Sequence, residues 1–427
     1  MARKVHLCHT PVEMPQRRRP TIKHAAPTAL AVAKQAQILC RWRDWPLAHG
    51  NTKLKDRDVL IGLLCAFWEP LARSLRTIDQ LSEVDAVQEQ LDVDRLARST
   101  LSDALARFDT RPLPEIVSLL KRKLPQLRQG DPVLDQIVGK IIAMDASFFS
   151  MAGDVIWGLR QRNQHVSGGR EVRLDMQLDV RRMTPERFAV HGSELGSETA
   201  SQQTMLERDV IYLGDRNYPG FEFLNHVFKA QAHVVLRFRS NIGFRVEQSK
   251  PLSEKDVASG VQFDELGQVG AERKDSYRKH EARPPAQQLR LVTIWDPAKQ
   301  EQVKLLTDML DLDAWIIGHL YRCRWMIEVF FRWFKSTAAM RHLISHSANG
   351  ITVQFYVAMI ATLLLHIQTG MPVSKYSLFA LGMVARGQAQ VKEVMPGLMR
   401  LERARMLEKQ RLARKKAMKI KPDHLLR

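Results

Sequence analysis

Alternation of apolar and polar positions divides the middle of the chain into short strands separated by helices. In residues 171–180 every second position is apolar, which is typical of a strand with one buried face. Short apolar runs predict further strands at 137–144, 155–159, 209–214 and 232–238, and helical spacing predicts helices at 198–208 and 220–229. This order predicts an α/β core over residues 133–239 and 306–375.

The N-terminal part of the chain has helical periodicity instead. Residues 1–25 are basic and proline-rich and are predicted to form a flexible arm, whereas residues 26–132 predict an all-helical domain. Within it, Ser99 or Thr100 is a candidate helix cap, with Asp103 reaching back. A helix and a short turn come before this cap, so a helix-turn-helix and an ordinary helical bundle are both open interpretations. If the segment is a helix-turn-helix, the candidate DNA contacts are Arg98, Ser99, Thr100, Ser102 and Arg107.

Residues 240–305 break the alternation of strands and helices. They are polar and glycine-rich, carry the Pro284–Pro285 pair, and contain a clear strand at 289–295, so they predict a strand-rich insertion. A long helix is predicted to begin near Asp311 or Asp313, and a buried helix at 351–367. Residues 376–427 predict a basic helical region or a tail, since eleven Lys or Arg face three acids from Arg400 onward.

The stretch from Tyr321 to Lys335 carries the most unusual pattern. At roughly 100° per residue, one helical stripe of about 60° collects Tyr321, Arg324, Glu328 and Lys335, with Arg332 beside it. Aromatic and aliphatic residues cover the other side, so much of this helix is expected to be buried, and buried charges need partners. A solvated charged face is the alternative. Basic groups and a phenol suit phosphates, and a carboxylate among them suits a metal ion.

Composition strengthens the interpretation that the chain binds a polyanion. Lys and Arg total 65 against 46 Asp and Glu, which gives a net charge of +19. Such an excess indicates nucleic acid, with a membrane surface as the competing anionic partner. The four cysteines are far apart, so they predict neither a disulfide framework nor a zinc-ligand spacing. The segment 351–367 is short for a membrane span, so a buried helix is expected there, and the scattered cysteines fit a reducing compartment.

Two more carboxylates stand where they can join Glu328. Asp145 is predicted to end the first strand and Asp215 follows the fourth, and strand ends of this kind meet at one edge of a sheet. As single residues, a strand-end acid and a turn acid are the simpler interpretations. Three converging carboxylates repel one another, and divalent cations relieve that repulsion. All-oxygen ligands favour Mg²⁺ or Mn²⁺, and two such ions can activate attack on a phosphodiester.

The spacing of Tyr321, Arg324, Glu328 and Lys335 resembles the Y-R-E-K signature of bacterial insertion-sequence transposases of the DDE class, the insertion sequence four family. The segments that end at Asp145 and Asp215 resemble the family's two aspartate regions, and the likeness covers about residues 135–370. It implies a ribonuclease-H-like catalytic core with a strand-rich insertion. It also implies Asp145, Asp215 and Glu328 as metal ligands, and Tyr321, Arg324 and Lys335 as phosphate contacts.

The resemblance extends to substrate, assembly and location, and it implies a protein of the bacterial cytoplasm that associates with the nucleoid. It implies metal-dependent cleavage at the ends of an insertion sequence, strand transfer into target DNA, and a homodimer that joins two double-stranded ends. In relatives an insertion tryptophan stacks at a flipped base, a role open to Trp295, for which a buried strand position is the alternative. Asn217 stands where relatives commonly have glycine. The rival functions are a ribonuclease-H-like nuclease without strand transfer and a non-catalytic DNA-binding protein derived from a transposase.

Overall fold

The computed structural model describes the chain from residue 54 to residue 419 with gaps. The described residues are 54–68, 74–85, 88–89, 95–124, 131, 133–151, 159–160, 170–192, 196–239, 242–270, 282–297, 299–336, 343–369, 383, 389 and 391–419. The predicted arm 1–25, residues 26–53 of the predicted helical domain and most of the strand at 155–159 lie outside them.

Four helices precede the sheet: α1 (Asp56–Trp68), α2 (Leu75–Ser82), α3 (Arg98–Arg107) and α4 (Leu113–Lys123). Their apolar faces, including Leu60, Leu101 and Ile116, form one buried cluster. Ser99 and Thr100 lie inside α3, whose N-cap is Ala97, so the predicted cap was wrong. The carboxylate of Asp79 on α2 takes over that role, because it accepts a bond from the Arg98 backbone N–H at 3.1 Å.

The described strands form one large mixed sheet. They are β1 (Lys140–Met151), β2 (Leu159–Arg160), β3 (Arg170–Asp179), β4 (Thr184–His191), β5 (Val210–Gly214), β6 (His233–Arg237), β7 (Phe244–Ser249), β8 (Val261–Val269), β9 (Leu289–Asp296) and β10 (Glu301–Thr307). Their order is β2-β3-β1-β5-β6-β10-β9-β8-β7, with β4 also paired to β3. The mixed α/β class predicted from the alternation is confirmed.

The pairing of neighbouring strands changes twice across this sheet, from antiparallel to parallel and back to antiparallel. β1, β5 and β6 are parallel neighbours, whereas β3 runs antiparallel to both β1 and β4. β10 pairs antiparallel with β6, and β9, β8 and β7 follow by antiparallel pairing. The strands of residues 244–307 therefore continue the central sheet instead of folding apart from it.

β4 was not predicted from the sequence. Pro185, Glu186 and Arg187 interrupt the apolar pattern that marks a strand, and the strand pairs only with β3 in the described residues. The predicted strands at 171–180, 209–214, 232–238 and 289–295 are confirmed within a residue or two of their bounds.

Helices cover both faces of the sheet. α5 (Glu198–Gln203) and α6 (Phe221–Lys229) connect strands, and the short α7 (Glu254–Ala258) lies before β8. α8 (Ala314–Cys323) and α9 (Trp325–Ser336) follow β10. α10 (Ala348–Thr369) is apolar on all sides because it lies between two cores: Phe355 packs in the sheet cluster, and Ile360 packs with the N-terminal helices. α11 (Val391–Lys419) carries the basic C-terminal sequence.

In the described part of the chain, no helix is both long and apolar enough to cross a membrane.

Candidate active site

Asp145 and Asp215 lie at the same level of two neighbouring parallel strands. The register pairs Ala143 of β1 with Leu213 of β5, so Asp145 comes two residues later within β1, and Asp215 comes two residues later as the residue that follows β5. Side chains alternate between the faces of a strand. Ala143 belongs to the cluster that packs against α8 and α9, so Asp145 points toward that layer, and Asp215 lies close enough for its charge to raise the pKa of Asp145.

Asp145 does not end its strand, which corrects the sequence-based expectation. β1 runs on to Met151 because its second half pairs with β3, where Asp145 is opposite Met176. Only the parallel pairing with β5 stops at Ala143. The acid therefore sits on a strand that remains hydrogen-bonded on one side, which makes it a rigidly placed group.

The packing of α9 on β1 brings Glu328 to this face. Phe334 of α9 meets Phe149 of β1 edge-on, with 6.3 Å between ring centroids, and stacks against Phe355 of α10 at 6.1 Å. Phe330 stacks on Phe334 at 5.6 Å. Aromatic pairs of this kind contribute about 0.5–1.5 kcal/mol each beyond the buried area. They hold α9 against the strand that carries Asp145.

The single long helix predicted from Asp313 to Lys335 is instead two helices that meet at Arg324. α8 ends at Cys323 and α9 begins at Trp325. Around the junction, the Arg324 N–H donates to the Tyr321 carbonyl at 3.1 Å, a tightened i to i−3 bond. The predicted start at Asp313 is confirmed, since this residue is the N-cap of α8.

Arg324 joins two of the predicted acids. Its Nη2 donates to Glu328 Oε1 at 2.5 Å, and its Nη1 lies 3.8 Å from Asp145 Oδ2. Its guanidinium carbon is 5.9 Å from the centre of the Tyr321 ring. Burial lowers the pKa of Arg324, but Tyr321, Glu328 and Asp145 outweigh it and raise the pKa overall. The guanidinium thus holds a positive charge between Asp145 and Glu328.

A fourth carboxylate, which the sequence analysis did not single out, faces the two aspartates. Glu198 is the first residue of α5, whose N-cap Ser197 accepts a bond from the Ala200 N–H. Burial raises the pKa of Asp145 to about 7, and the charge of Glu198 adds more to this shift than that of Asp215. In the sequence, Glu198 is marked only as a glutamate directly after a capping serine. Many ordinary helices begin in this way, so the pattern does not distinguish a site residue.

Tyr218 orders the turn that carries Asp215. Its hydroxyl donates to Glu198, and its backbone N–H donates to the Asp215 carbonyl at 3.3 Å. Gly214 leaves room for this ring, because a Cβ there would lie 2.8 Å from Tyr218. Asn217 keeps an ordinary backbone: its N–H donates to Asp215 Oδ1 at 2.7 Å, and its side chain binds Arg239.

The predicted phosphate contacts lie along α8 and α9. Tyr321 is half-buried, and burial raises the pKa of its phenol. The ammonium of Lys335 lies 5.0 Å from the centre of the Phe149 ring, so it sits along the same strand as Asp145. Arg332 is exposed and its guanidinium lies 5.9 Å from the Trp325 ring.

Trp295 is not brought to the acids. It lies on β9, four strands from β1, which is about 19 Å across a sheet. Its side chain is 36% exposed. The structure therefore places Trp295 on the surface of the residue 240–305 segment, at a distance from Asp145 that corresponds to about five base pairs of B-form DNA.

The donor set fits a hard divalent cation. All candidate ligands are carboxylate oxygens, and the pKa of Asp145 is raised first by burial and then by the charge of Glu198, both of which a bound dication would counteract. The three predicted acids do not meet at one point, however. Among the described residues, the trio whose ligand atoms all lie within 4.8 Å of one another is Asp131, His319 and Cys323, at another place.

The candidate DNA contacts of the helical region share one helix. Arg98, Ser99, Ser102 and Arg107 are exposed on α3 and Thr100 is half-buried, while Leu101, Ala104 and Leu105 face the core. α3 thus presents a polar face to solvent, as either a recognition helix or an ordinary bundle helix would.

Comparisons with known proteins agree on one family. The sequence profile described as the transposase DDE domain matches residues 137–364, more than half of the chain. A probable transposase for insertion sequence element IS5377 of Geobacillus stearothermophilus is 28% identical over 177 residues, which are 41% of this chain and 42% of the relative. The chain thus spans about two fifths of that relative's length.

Two further relatives are matched over longer stretches. The putative transposase y4zB of Sinorhizobium fredii is 24% identical over 269 residues, 62% of this chain and 70% of that one. The putative transposase for insertion sequence element IS4SA of Synechocystis is 22% identical over 273 residues, with the same shares. A cryo-EM structure of a piggyBac transposase synaptic complex with hairpin DNA is similar at a TM-score of 0.36 and 12% identity, covering 93% of this chain and 84% of that one. This last likeness is too low to bear on the fold.

Proposed function

The chain belongs to the transposase DDE domain family, and from this membership we propose that it cuts DNA at the ends of an insertion sequence and joins the ends to target DNA. The observation that carries the proposal is the position of Arg324, which contacts both Asp145 and Glu328. Asp215 lies at the level of Asp145, directly after the neighbouring strand β5.

We propose a ribonuclease-H-like core for residues 133–239 and 306–375. The order β4-β3-β1-β5-β6, with β3 antiparallel to its neighbours and β1, β5 and β6 parallel, supports it. Residues 240–305 are then an insertion whose strands extend the sheet at β6. Helices α1 to α4 belong to a separate N-terminal unit in this proposal, with the exposed face of α3 as its DNA-binding surface.

The carboxylates of Asp145, Asp215 and Glu328 are the proposed ligands of two Mg²⁺ or Mn²⁺ ions. Bound there, such ions supply an activated attacking oxygen and stabilise the leaving oxygen of a phosphodiester. Arg324 orients Glu328 by its 2.5 Å bond, and Glu198 raises the affinity of the Asp145 side for positive charge. The proposed ligands must be deprotonated, so a proton on Asp145 competes with the metal.

The basic and aromatic groups around the acids position the DNA. Tyr321 and Lys335 border the face of β1 that carries Asp145, and Arg332 is exposed on the same helix as Lys335. We assign them to phosphates next to the cleaved bond, because phenol and cationic side chains are the usual phosphate contacts. Trp295 is assigned to stacking on a base near the end, where an aromatic ring accepts any base. Two such chains, one at each end, form the proposed homodimer.

The decisive experiment measures cleavage of labelled duplex DNA carrying the sequences that flank the coding gene. With Mg²⁺ or Mn²⁺ present, the wild type and Glu222→Gln should nick the end, because Glu222 is exposed on α6, which packs on the face of the sheet opposite to α9. Glu328→Gln should bind the same DNA without nicking it.

Each other outcome identifies a rival. End binding without nicking by any variant would leave a DNA-binding protein derived from a transposase. Nicking without joining to a second duplex would indicate a nuclease that lacks strand transfer. If Glu328→Gln still nicked the DNA, Glu328 and the helix α9 that carries it would not belong to the active site.

A further inference from the structure

A second group of metal-binding side chains lies outside the proposed active site. It consists of Asp131, His319 and Cys323, whose ligand atoms all lie within 4.8 Å of one another. His319 and Cys323 are four residues apart on α8 and so share one face of the helix. Tyr321 is roughly 160° around the helix from both. The group therefore faces away from the phosphate-contacting side of α8.

Hydrogen bonds already orient two of the three side chains. Oδ1 of Asp131 accepts the Val133 backbone N–H at 3.0 Å, which anchors the carboxylate in its own loop. Its other oxygen, Oδ2, lies 2.7 Å from Nε2 of His319. Cys323 is buried, whereas the side chains of His319 and Asp131 are 24% and 25% exposed. The thiol is therefore shielded from solvent, whereas an ion could reach the group from solvent on the side of His319 and Asp131.

We propose that Asp131, His319 and Cys323 bind a Zn²⁺ ion, with water in the fourth position. Imidazole nitrogen, thiolate sulfur and carboxylate oxygen are the ligand types of protein zinc, while a thiolate disfavours Mg²⁺. Tetrahedral bonds of about 2.0–2.3 Å place ligand atoms roughly 3.3–3.8 Å apart, so small side-chain rotations suffice. One thiolate and one carboxylate also balance the charge of the dication.

The proposed ion would tie two parts of the chain together. Asp131 precedes β1, and Cys323 is the last residue of α8, directly before Arg324. A zinc ion would fix the end of α8 against the entry to the sheet and so steady the junction at which Arg324 turns toward Asp145. This role is structural and separate from cleavage.

A competing interpretation needs no metal. Arg322 lies near Asp131 and Cys323, so its positive charge can neutralise the Asp131 carboxylate without a metal ion. In that case the His319–Asp131 contact is an ordinary hydrogen bond that joins the loop to α8. The two interpretations differ in whether a thiolate ever binds a metal, and this difference can be measured.

The test uses the full chain without a histidine tag, stripped of metal and titrated with Co²⁺ as the spectroscopic probe. We expect a thiolate-to-cobalt charge-transfer band in the wild type, displaced by Zn²⁺. The band should be absent in Cys323→Ser, and Asp131→Asn and His319→Gln should weaken Co²⁺ binding more than the about 10- to 100-fold that loss of an outer-shell partner costs. The carboxylate site cannot produce this band, because it holds no sulfur.

Matched variants separate the site from unspecific binding. Cys65→Ser on α1 and His226→Asn, an exposed histidine on α6, should leave the band unchanged. A band that survives Cys323→Ser, or no band in the folded wild type, would overturn the proposal. Circular dichroism checks folding, and if Cys323→Ser unfolds, the half-exposed Asp131→Asn and His319→Gln decide the question. DNA nicking enters none of these readouts, so this proposal can fail while the proposed transposase activity stands.

Discussion

Asp145 on β1 and Asp215, which directly follows β5, occupy matching positions on two adjacent parallel chain segments, each two residues beyond the last registered pair of β1 and β5. The two carboxylates thus repel each other at a place that the backbone of the sheet determines. Burial, followed by the charge of Glu198 and more weakly by that of Asp215, raises the pKa of Asp145 to about 7. Such a group is poised to exchange its proton for a metal ion near neutral pH.

Replacement of either aspartate should abolish end cleavage while sparing DNA binding. We expect Asp145→Asn and Asp215→Asn to lower the nicking rate by at least about 100-fold, since even loss of an outer-shell partner costs about 10- to 100-fold. Single-turnover nicking and a gel-shift titration measure the two effects separately. Asp135→Asn, at an exposed acid shortly before β1, is the matched control and should nick normally. Equal loss of binding and nicking would argue against a role limited to the reaction.

Arg324 should matter through its geometry as well as its charge. Arg324→Lys keeps a cation but cannot reach both Asp145 and Glu328 with one planar group. We expect the nicking rate to fall by about 10- to 100-fold, as for other residues that orient ligands. Arg208→Lys, at an exposed position shortly before β5, should change it little. Wild-type rates in Arg324→Lys would mean that a positive charge alone suffices.

The raised pKa of Asp145 predicts a pH-dependent loss of stability when divalent ions are chelated. The folded state keeps the proton of Asp145 up to about pH 7, whereas the unfolded state loses it near its ordinary value of 3.8. Between these values the folded state binds more protons, so its stability falls as the pH rises. The melting temperature of Asp145→Asn minus that of the wild type should therefore increase from about pH 4 to about pH 7 and then level off.

Glu198→Gln provides the internal check on that titration. The melting-temperature difference rises over a pH window whose upper end is the folded-state pKa of Asp145. Because the charge of Glu198 raises that pKa, its removal should shift the upper end of this pH window to lower pH. Glu222→Gln, also in the first turn of a helix, should leave the window in place. An unchanged window in Glu198→Gln would show that burial alone raises this pKa.

A buried ion pair in the residue 240–305 segment should contribute strongly to the free energy of unfolding, because it also ties down the loop that leads into α8. Arg290 donates to both oxygens of Asp264, at 2.7 and 2.8 Å, and also to the carbonyls of Met309 and Leu310. Asp264→Ala leaves the Arg290 charge buried without its partner, and we expect the free energy of unfolding to fall by about 3–5 kcal/mol. Urea unfolding followed by tryptophan fluorescence measures it.

The control for this pair lies on the neighbouring surface. Arg245 and Glu247 are 3.4 Å apart, and the Arg245 side chain is 54% exposed. Glu247→Ala should therefore reduce stability by less than about 1 kcal/mol. Similar losses in Asp264→Ala and Glu247→Ala would contradict the view that burial sets the strength of the inner pair.

Trp295 should contribute to affinity for the end DNA without taking part in the chemistry. Base stacking on an aromatic ring is worth about 1–3 kcal/mol, so Trp295→Ala should raise the Kd for end DNA by about 5- to 150-fold. Trp295→Phe should restore most of the affinity, because it keeps an aromatic face. Val257→Ala, at an exposed apolar position of α7, should bind as the wild type does. A large loss in Val257→Ala would point to a protein contact rather than a stacked base.

Local sequence patterns determined much of what was predicted correctly. The alternation in residues 171–180 specifies a strand with one buried face, and β3 is that strand. The spacing of Arg324 and Glu328 places them one helical turn apart, and they are hydrogen-bonded at 2.5 Å even though a helix junction falls between α8 and α9. Periodicity relates residues that are close in the chain, so the local structure it predicts does not depend on contacts with distant segments.

Relationships between distant segments were decided only by the tertiary structure. Pairing with β3 carries β1 past Asp145, and pairing with β6 attaches β10 and the strands after it to the central sheet. Glu198 reaches the aspartates, and His319 reaches Asp131, 188 residues away. None of these partners leaves a periodic signal, because each depends on which strands and helices become neighbours and in which register they pair. That choice is made by the packing of the whole core, which no single stretch of sequence contains.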